Sequence, residues 1–254
     1  YFGYWKSPGG SDPDTGKSEE VGDAPGSVYT ILPLDDHTYF CGYVAFMADY
    51  DHSKPYEMKR KSGFDTDTNP QRYRTVGKWT KHMLAGPDGR IYLGGRFGRH
   101  KDGGGLSIFN PETKEMRLIH EPQFKYLGVS GLFFINDKKT LAITTTPIGD
   151  VPIEYGSIFL FDIEKQEIVK EVELNLDADP DQIFVAGDNR VVGVSRAEET
   201  DDFGYKKANT LVYGLDLNTG ETVYQKRYDG RPFMGMVPYD STPVVRGPDG
   251  CGWL

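Results

Sequence analysis

Three long segments, residues 96–104, 146–156 and 196–209, supply residues that could bind a ligand. Arginine, lysine and aromatic residues occur in the first and third segments, a histidine occurs in the first, and the second contributes Tyr155. Arginine presents a planar fork of donors that matches a carboxylate or a sulfate, and an aromatic ring offers a flat surface for stacking. The residues of these types that we single out, with one tyrosine from the connection 122–128, are Arg96, Phe97, Arg99, His100, Tyr126, Tyr155, Arg196, Tyr205 and Lys206. This chemistry suits an acidic sugar polymer or another anionic ligand.

Part of this set has the residue types needed for catalysis on such a ligand. Arg96 or Arg99 would neutralise the carboxylate of a uronate and so lower the pKa of the neighbouring C–H bond. His100 and Tyr155 would then act as base and acid, which is the chemistry of a polysaccharide lyase. The predicted catalytic residues are therefore Arg99, His100 and Tyr155, and the predicted ligand-binding residues are Arg96, Phe97, Tyr126, Arg196, Tyr205 and Lys206.

A solvated surface is the competing interpretation of the same segments. Acidic residues are interleaved with the basic ones, at Asp102, Asp150, Glu198, Glu199, Asp201 and Asp202. Charged side chains of both signs are typical of exposed loops. Both a ligand site and a solvated surface remain open at this point.

The elements that position these segments are short strands. Residues 81–122 contain four runs of strand-forming residues, at 82–85, 90–95, 106–109 and 115–119. Turn-forming residues bound each run, and each is too short for a helix. Four consecutive antiparallel strands make one blade of a β-propeller. The predicted fold class is therefore all-β, a propeller of four-stranded antiparallel blades.

The four-strand unit recurs along the chain. Asn110, Asp162 and Asp216 occupy equivalent places after the third strand, in FNPETKE, FDIEKQE and LDLNTGE. The interval in sequence between successive equivalent residues is longer than the roughly 40 to 50 residues of common propeller repeats. If the strands of a blade are labelled A to D from the axis outward, the surplus falls in the B–C connections. These connections open on the same face as the D–A connections, where elaborated loops usually build a site.

The predicted organisation is a single domain of residues 1–254. Its approximate blades are residues 27–77, 78–121, 128–174 and 181–228, with a partial blade at 232–254. Two arrangements remain open. Residues 1–5 would complete the last blade of a five-bladed ring, or the sequence is part of a chain of six to eight blades. We favour the second, because a natural domain rarely ends within a strand.

Composition excludes several classes of function. The formal charge of −9 and the pI near 5.1 argue against nucleic acid bound by the overall field. No apolar run approaches the roughly 18 to 20 residues of a spanning helix.

Cys41 and Cys251 are predicted to be unpaired, with a single bridge as the alternative. The five histidines are dispersed, so we predict no metal site. We also predict no cofactor.

Several stretches resemble a known group of proteins. GPDGRIYLGG, GGGLSIFNPETKE, GSIFLFDIEKQE, RVVGVS and TLVYGLDLNTGE are similar to bacterial propellers of the YVTN, quinoprotein-like and gluconolactonase-like group, over residues 28–254. The resemblance implies the propeller fold and specifies function poorly. The GH and WD dipeptides of WD40 repeats are absent, as is the tryptophan pattern of quinone dehydrogenases. The predicted lyase activity rests on a fold-level analogy with propeller lyases that act on acidic algal polysaccharides.

The sequence thus predicts an extracellular or periplasmic ligand-binding propeller. It would bind an anionic carbohydrate, or act on one as a lyase, through the face of the long B–C loops. The alternative is a non-catalytic protein-interaction scaffold within a larger protein or assembly. The expected partners are an anionic oligosaccharide or a protein, and not a nucleic acid.

Overall fold

The computed structural model describes residues 9–11, 15, 17–20, 22–58, 64, 67–97, 103–120, 122–149, 151–174, 176, 182–187, 189–200, 206–229, 244–247 and 250–253. Within them every regular element is a β-strand, and no helix that could span a membrane occurs. The strands are β1 (Gly9–Ser11), β2 (Ser18–Glu20), β3 (Ser27–Pro33), β4 (His37–Tyr43), β5 (Phe46–Asp51), β6 (Gln71–Arg74), β7 (Trp79–Ala85), β8 (Ile91–Arg96), β9 (Gly104–Asn110), β10 (Glu115–Ile119), β11 (Leu127–Ile135), β12 (Thr140–Pro147), β13 (Ser157–Asp162), β14 (Glu167–Glu173), β15 (Gln182–Val185), β16 (Arg190–Thr200), β17 (Lys206–Asp216), β18 (Thr222–Asp229), β19 (Val244–Gly247) and β20 (Gly250–Trp253).

The chain divides into two compact units. Unit 1 comprises Tyr1–Gly128 with Ile148–Asp150, and unit 2 comprises Val129–Pro147 with Val151–Leu254. The predicted domain and blade limits stay predictions, as does a strand at residues 1–5, which lie outside the described residues.

Unit 1 contains two antiparallel arrays of four strands. The first runs β3-β4-β5-β6 and the second β7-β8-β9-β10. A single pairing, Tyr43 with Trp79, joins β4 to β7 and makes the two arrays one continuous sheet. A smaller antiparallel ladder of β1 and β2 also occurs in this unit.

Unit 2 repeats the arrangement. Strands β11 to β14 form one antiparallel sheet in chain order, and β15 to β18 form another. Strands β19 and β20 pair as a two-stranded ladder. One hydrophobic cluster, which includes Val172, Leu211 and Tyr213, draws buried residues from both four-stranded sheets.

The burial of each strand explains the pattern of apolar residues in its sequence. The second and third strands of both arrays in unit 1 and of the first sheet in unit 2 are buried almost throughout, as in β8, β9 and β13. Strands covered on both faces carry continuous apolar runs, such as SIFLF. The fourth strand β14 alternates between exposed and packed residues, and β10 is mostly exposed, because both strands lie at the edge of their sheets.

The repeat equivalence predicted for Asn110, Asp162 and Asp216 is confirmed by their hydrogen bonds. The Oδ1 atom of Asn110 accepts from the backbone N–H groups of Glu112 and Thr113, at 2.9 and 3.4 Å. Asp162 and Asp216 accept in the same way from the second and third residues that follow them. An Asn or Asp side chain that satisfies backbone donors in this way initiates a tight turn.

We expect Asn110→Ala to lower the free energy of unfolding by about 1 kcal/mol, because two turn N–H groups lose their acceptor. Asn110→Asp keeps the acceptor, as the other two repeats do, and should match the parent protein within a few tenths of a kcal/mol. Chemical denaturation of the three proteins measures the difference. Equal stability of the alanine and aspartate variants would show that the side chain has no role in the turn.

Candidate functional site

Three chain connections of unit 1 meet at one end of its strands. They are the β4–β5 turn, the β6–β7 connection and the β8–β9 loop. The N–H of Ala45 donates to the carbonyl oxygen of Lys78 at 3.1 Å, and the N–H of Thr75 donates to the carbonyl oxygen of Ala45 at 3.1 Å. Trp79 pairs with Tyr43 on one side and with Arg96 on the other. Residues far apart in the sequence are thereby brought together.

A cluster of two aromatic rings and two cations lies at this junction. The rings of Tyr43 and Trp79 are stacked, with centroids 6.0 Å apart and an interplanar angle of 28°. The Nζ atom of Lys78 lies 5.3 Å from the Tyr43 centroid and 5.8 Å from that of Trp79. The Cζ atom of Arg96 lies 5.7 Å from the Trp79 centroid. We call these four residues the cation–aromatic platform.

The cations of the platform have no acidic partner among the described residues. No carboxylate in this part of the chain forms a salt bridge with Lys78 or Arg96. The Nε atom of Arg96 is buried and has no hydrogen-bond acceptor among the described residues. Lys78 is exposed, and Val44 beside Tyr43 is 48% exposed. The platform therefore combines accessible apolar surface with positive charge that no carboxylate of the described residues neutralises.

The inner strand β7 extends the positive field. Burial, with smaller contributions from Lys81 and Arg96, lowers the pKa of His82 to about 4. Partial burial of its side chain also lowers the pKa of Lys81, and the charge of Arg96 adds to the effect. His82 is consequently neutral at neutral pH.

The base of the β8–β9 loop is held by specific contacts. The N–H of Phe97 donates to the carbonyl oxygen of Gly103 at 2.8 Å. The Nδ1 atom of His120 donates to the carbonyl oxygen of Gly104 at 2.6 Å, and the rings of Phe97 and His120 are 5.3 Å apart. Gly103 has a φ of +66°, and a Cβ atom there would lie 1.8 Å from the carbonyl oxygen of Phe124. The two ends of the loop are thus fixed next to the platform.

We expect Gly103→Ala to lower the free energy of unfolding by about 2 kcal/mol, since the added Cβ meets backbone as well as an unfavourable φ. Gly89→Ala is the matched control, because Gly89 has a φ of +76° with no atom within 4 Å of an added Cβ. This control should cost only about 1 kcal/mol. Thermal and chemical unfolding of both variants test the difference, and equal losses would mean that the close approach to Phe124 is relieved without cost.

The predicted site residues fall into three groups. Arg96, Phe97 and Tyr126 lie in unit 1, at the platform, at the loop base and between β10 and β11. Tyr126 has a φ of +70°, its carbonyl oxygen accepts from the N–H of Ile148 at 2.9 Å, and Lys125 lies 5.3 Å from its ring centroid. Tyr155 is half-buried in unit 2, between β12 and β13. Arg99, His100 and Tyr205 lie outside the described residues.

Arg196 and Lys206 lie in strands, where the sequence predicted a loop at residues 196–209. The β16–β17 ladder continues without a break from Arg190 opposite Asp216 to Thr200 opposite Lys206. No Pro or Gly occurs in 196–200 or 206–209, so nothing stops the strands, whereas the other two long connections contain several such residues. The backbone places both residues on a long hairpin.

Sequence reasoning missed Tyr43, Lys78 and Trp79. The strand order could have identified part of this cluster, because D–A connections open on the same face as B–C loops. Among the D–A connections, however, only residues 122–128 contributed a predicted residue, Tyr126. Lys78 occupies the corresponding connection one array earlier, and Trp79 begins the strand that follows it. Within the described residues, no group of three or more His, Cys, Asp or Glu side chains is placed to hold a metal ion. Cys41 is a buried free thiol, and the side chain of Cys251 lies outside the description.

No protein-family model matches the chain, and no curated protein sequence matches it. Among solved structures, the WD40 domain of Neurospora crassa Pan2 is similar, with 11% identity and a TM-score of 0.51. That likeness covers 91% of this chain and 62% of the Pan2 chain, so the chain spans less than two thirds of that structure. The tricorn protease matches with 15% identity and a TM-score of 0.47, over 85% of this chain and 20% of that one.

The likeness to the Pan2 domain, at this identity, bears on the fold alone. Together with the antiparallel four-stranded sheets, it shows that the protein has a β-propeller fold. The predicted fold class is confirmed.

Proposed function

We propose that this protein is a ligand-binding propeller that recognises an anionic ligand at the cation–aromatic platform. The observation that supports the proposal is the position of Lys78 and Arg96 over stacked aromatic rings, without a carboxylate partner among the described residues. Unpaired cations at a partly dehydrated surface gain most from an incoming anion, because charge-assisted hydrogen bonds are roughly twice as strong as neutral ones.

An anionic oligosaccharide is the ligand class that this chemistry favours. The guanidinium group of Arg96 matches a carboxylate or sulfate group, and the ring faces of Tyr43 and Trp79 offer flat surfaces to a sugar ring. Nucleic acid fits less well, because the formal charge of −9 opposes a long phosphate backbone. An extracellular or periplasmic location belongs to the same proposal, as does membership of the YVTN, quinoprotein-like and gluconolactonase-like group.

Lyase activity is the catalytic extension of the proposal. It assigns neutralisation of a uronate to Arg99, and base and acid roles to His100 and Tyr155. Incubation with polygalacturonate or alginate tests it through the ultraviolet absorbance of the unsaturated uronate that β-elimination produces. A rise in absorbance that Arg99→Ala abolishes supports the extension. Binding of the polymer without any rise leaves a binding protein and removes the catalytic roles.

Calorimetric titration with hexagalacturonate, with its sulfated counterpart and with neutral maltohexaose tests the binding proposal. We expect the anionic ligands alone to bind, and Lys78→Ala or Arg96→Gln to weaken binding roughly tenfold. Lys139→Ala is the control, because it removes the same charge from an exposed turn residue of unit 2. Equal weakening by the control would reduce the effect to overall charge, and equal binding of maltohexaose would remove the role of the cations.

A protein-interaction scaffold is the second candidate, and the exposure of β18 favours it. Val223 and Tyr224 on this strand are 56% and 49% exposed. Exposed apolar side chains on a strand at the edge of a sheet favour contact with another chain. This candidate expects none of the anions to bind, and expects cross-links from a native complex to map to β18. Cross-links that map elsewhere would reject it.

A further inference from the structure

Two equivalent β-bulges interrupt the first strands of the two arrays in unit 1. In the β3–β4 ladder, Val28 pairs with Gly42 and Thr30 pairs with Cys41, so Tyr29 is the extra residue. In the β7–β8 ladder, Thr80 pairs with Gly95 and His82 pairs with Gly94, so Lys81 is the extra residue. A bulge disrupts the pairing locally and re-aims the side chain of its extra residue. The same device thus occurs at the same place in two consecutive arrays.

The two re-aimed side chains meet. The Nζ atom of Lys81 lies 5.7 Å from the ring centroid of Tyr29. The Thr30 hydroxyl donates to the carbonyl oxygen of Lys81, which ties β3 to β7 at this point. Lys81 is exposed, and no carboxylate in the described part of the chain forms a salt bridge with it. The bulges therefore add a third cation beside an aromatic ring, after Lys78 and Arg96.

Arg96 connects this pair to the platform. Its guanidinium group lies over Trp79, and its charge acts on both Lys81 and His82. The order along the sheet is therefore Lys78, then Arg96, then Lys81, with an aromatic ring beside each cation. Lys78 and Lys81 are three residues apart, which places their Cα atoms at most about 10 Å from each other.

We propose that this row recognises an extended polyanion at two points, with Lys78 and Arg96 binding one anionic group and Lys81 with Tyr29 binding a later group of the same chain. The inference rests on the proposed function and adds to it a requirement for length. A single small anion contacts only one end of a row this long. An acidic oligosaccharide of several residues reaches both ends, and the second contact then forms at a high effective concentration.

Calorimetric titration with mono-, di- and hexagalacturonate, and with a sulfated series of the same lengths, tests the proposal. We expect hexagalacturonate to bind the parent protein roughly 10- to 100-fold more tightly than the monomer. Lys81→Met keeps the apolar stem over Tyr29 but removes the charge, and should reduce this ratio to about threefold or less. Lys139→Met removes the same charge elsewhere and should keep the full ratio.

The possible outcomes separate this inference from the proposed function. Binding that is equally tight for monomer and hexamer in both series overturns two-point recognition and leaves anion binding in place. A length advantage that Lys81→Met retains in full also overturns it. Absence of binding at every length in both series overturns the proposed function together with the inference. Circular dichroism and thermal unfolding of Lys81→Met confirm that its fold is intact, and Lys81→Gln provides a second neutral variant for the same comparison.

Discussion

Asp49→Ala is expected to lower the free energy of unfolding by about 3 kcal/mol. The side chain of Asp49 is only 4% exposed, so its charge depends on two partners. Its Oδ1 atom accepts from His37 Nδ1 at 2.6 Å, and its Oδ2 atom accepts from Lys114 Nζ at 2.9 Å. These contacts join β4 and β5 of the first array to the β9–β10 turn of the second. Removing the carboxylate leaves a buried gap and breaks this tie between the two arrays.

Denaturant unfolding of Asp49→Ala and of a control variant measures the effect. Glu112→Ala is the control, because it removes an exposed negative charge from the same β9–β10 turn and should change stability by less than about 0.5 kcal/mol. Asp49→Asn keeps the volume and should lose an intermediate amount. If the alanine variant were as stable as the control, the buried carboxylate would have no net role.

The same variant separates stability from binding. His37 begins β4 and Tyr43 ends it, so the Asp49 contacts and the platform lie at opposite ends of the strand. We therefore expect folded Asp49→Ala to keep its affinity for hexagalacturonate within about twofold, since no platform residue touches Asp49. A larger loss would mean that binding depends on the rigidity of the whole array.

Stability is expected to fall by about 3 kcal/mol through His82 as the pH decreases from about 6.5 to about 4. The pKa of His82 is lowered from 6.5 to about 4 by burial first and then by Lys81 and Arg96. Between these values the unfolded chain binds a proton that the folded chain excludes. The contribution is therefore fully present above the unfolded pKa and is lost as the pH falls through this window.

The comparison of parent protein with His82→Gln tests this dependence. Glutamine does not titrate, so His82→Gln should lack this loss of stability. As the pH falls across the same window, the unfolding free energy of the parent protein should drop by about 3 kcal/mol relative to that of the variant. His120→Gln is the control for the loss of one histidine. Titration of the His82 imidazole in the parent protein by nuclear magnetic resonance gives the pKa directly. This measurement does not require the variant to fold. A pKa near 6.5 would contradict the expectation.

Local rules account for what the sequence by itself determined. Alternating and continuous apolar runs predicted the strands, because a strand has a period of two and a doubly covered strand is apolar throughout. The equivalence of Asn110, Asp162 and Asp216 followed from a turn that needs a side-chain acceptor within three residues. Arg96 and Tyr126 were placed at chain connections by the order of the strands alone. Each of these inferences depends on neighbours in the sequence.

Tertiary structure alone decided how the site is assembled. Tyr43 and Trp79 stack because β4 and β7 pair at one point, and Lys114 reaches Asp49 across 65 positions of sequence. Such contacts depend on the register between distant strands, which no local pattern specifies. The bulge at Lys81 has the same character, because one extra residue in a ladder re-aims a side chain that strict alternation would place elsewhere. Of the three cations, the sequence therefore identified Arg96 but not Lys78 or Lys81, and their convergence is a property of the folded sheet.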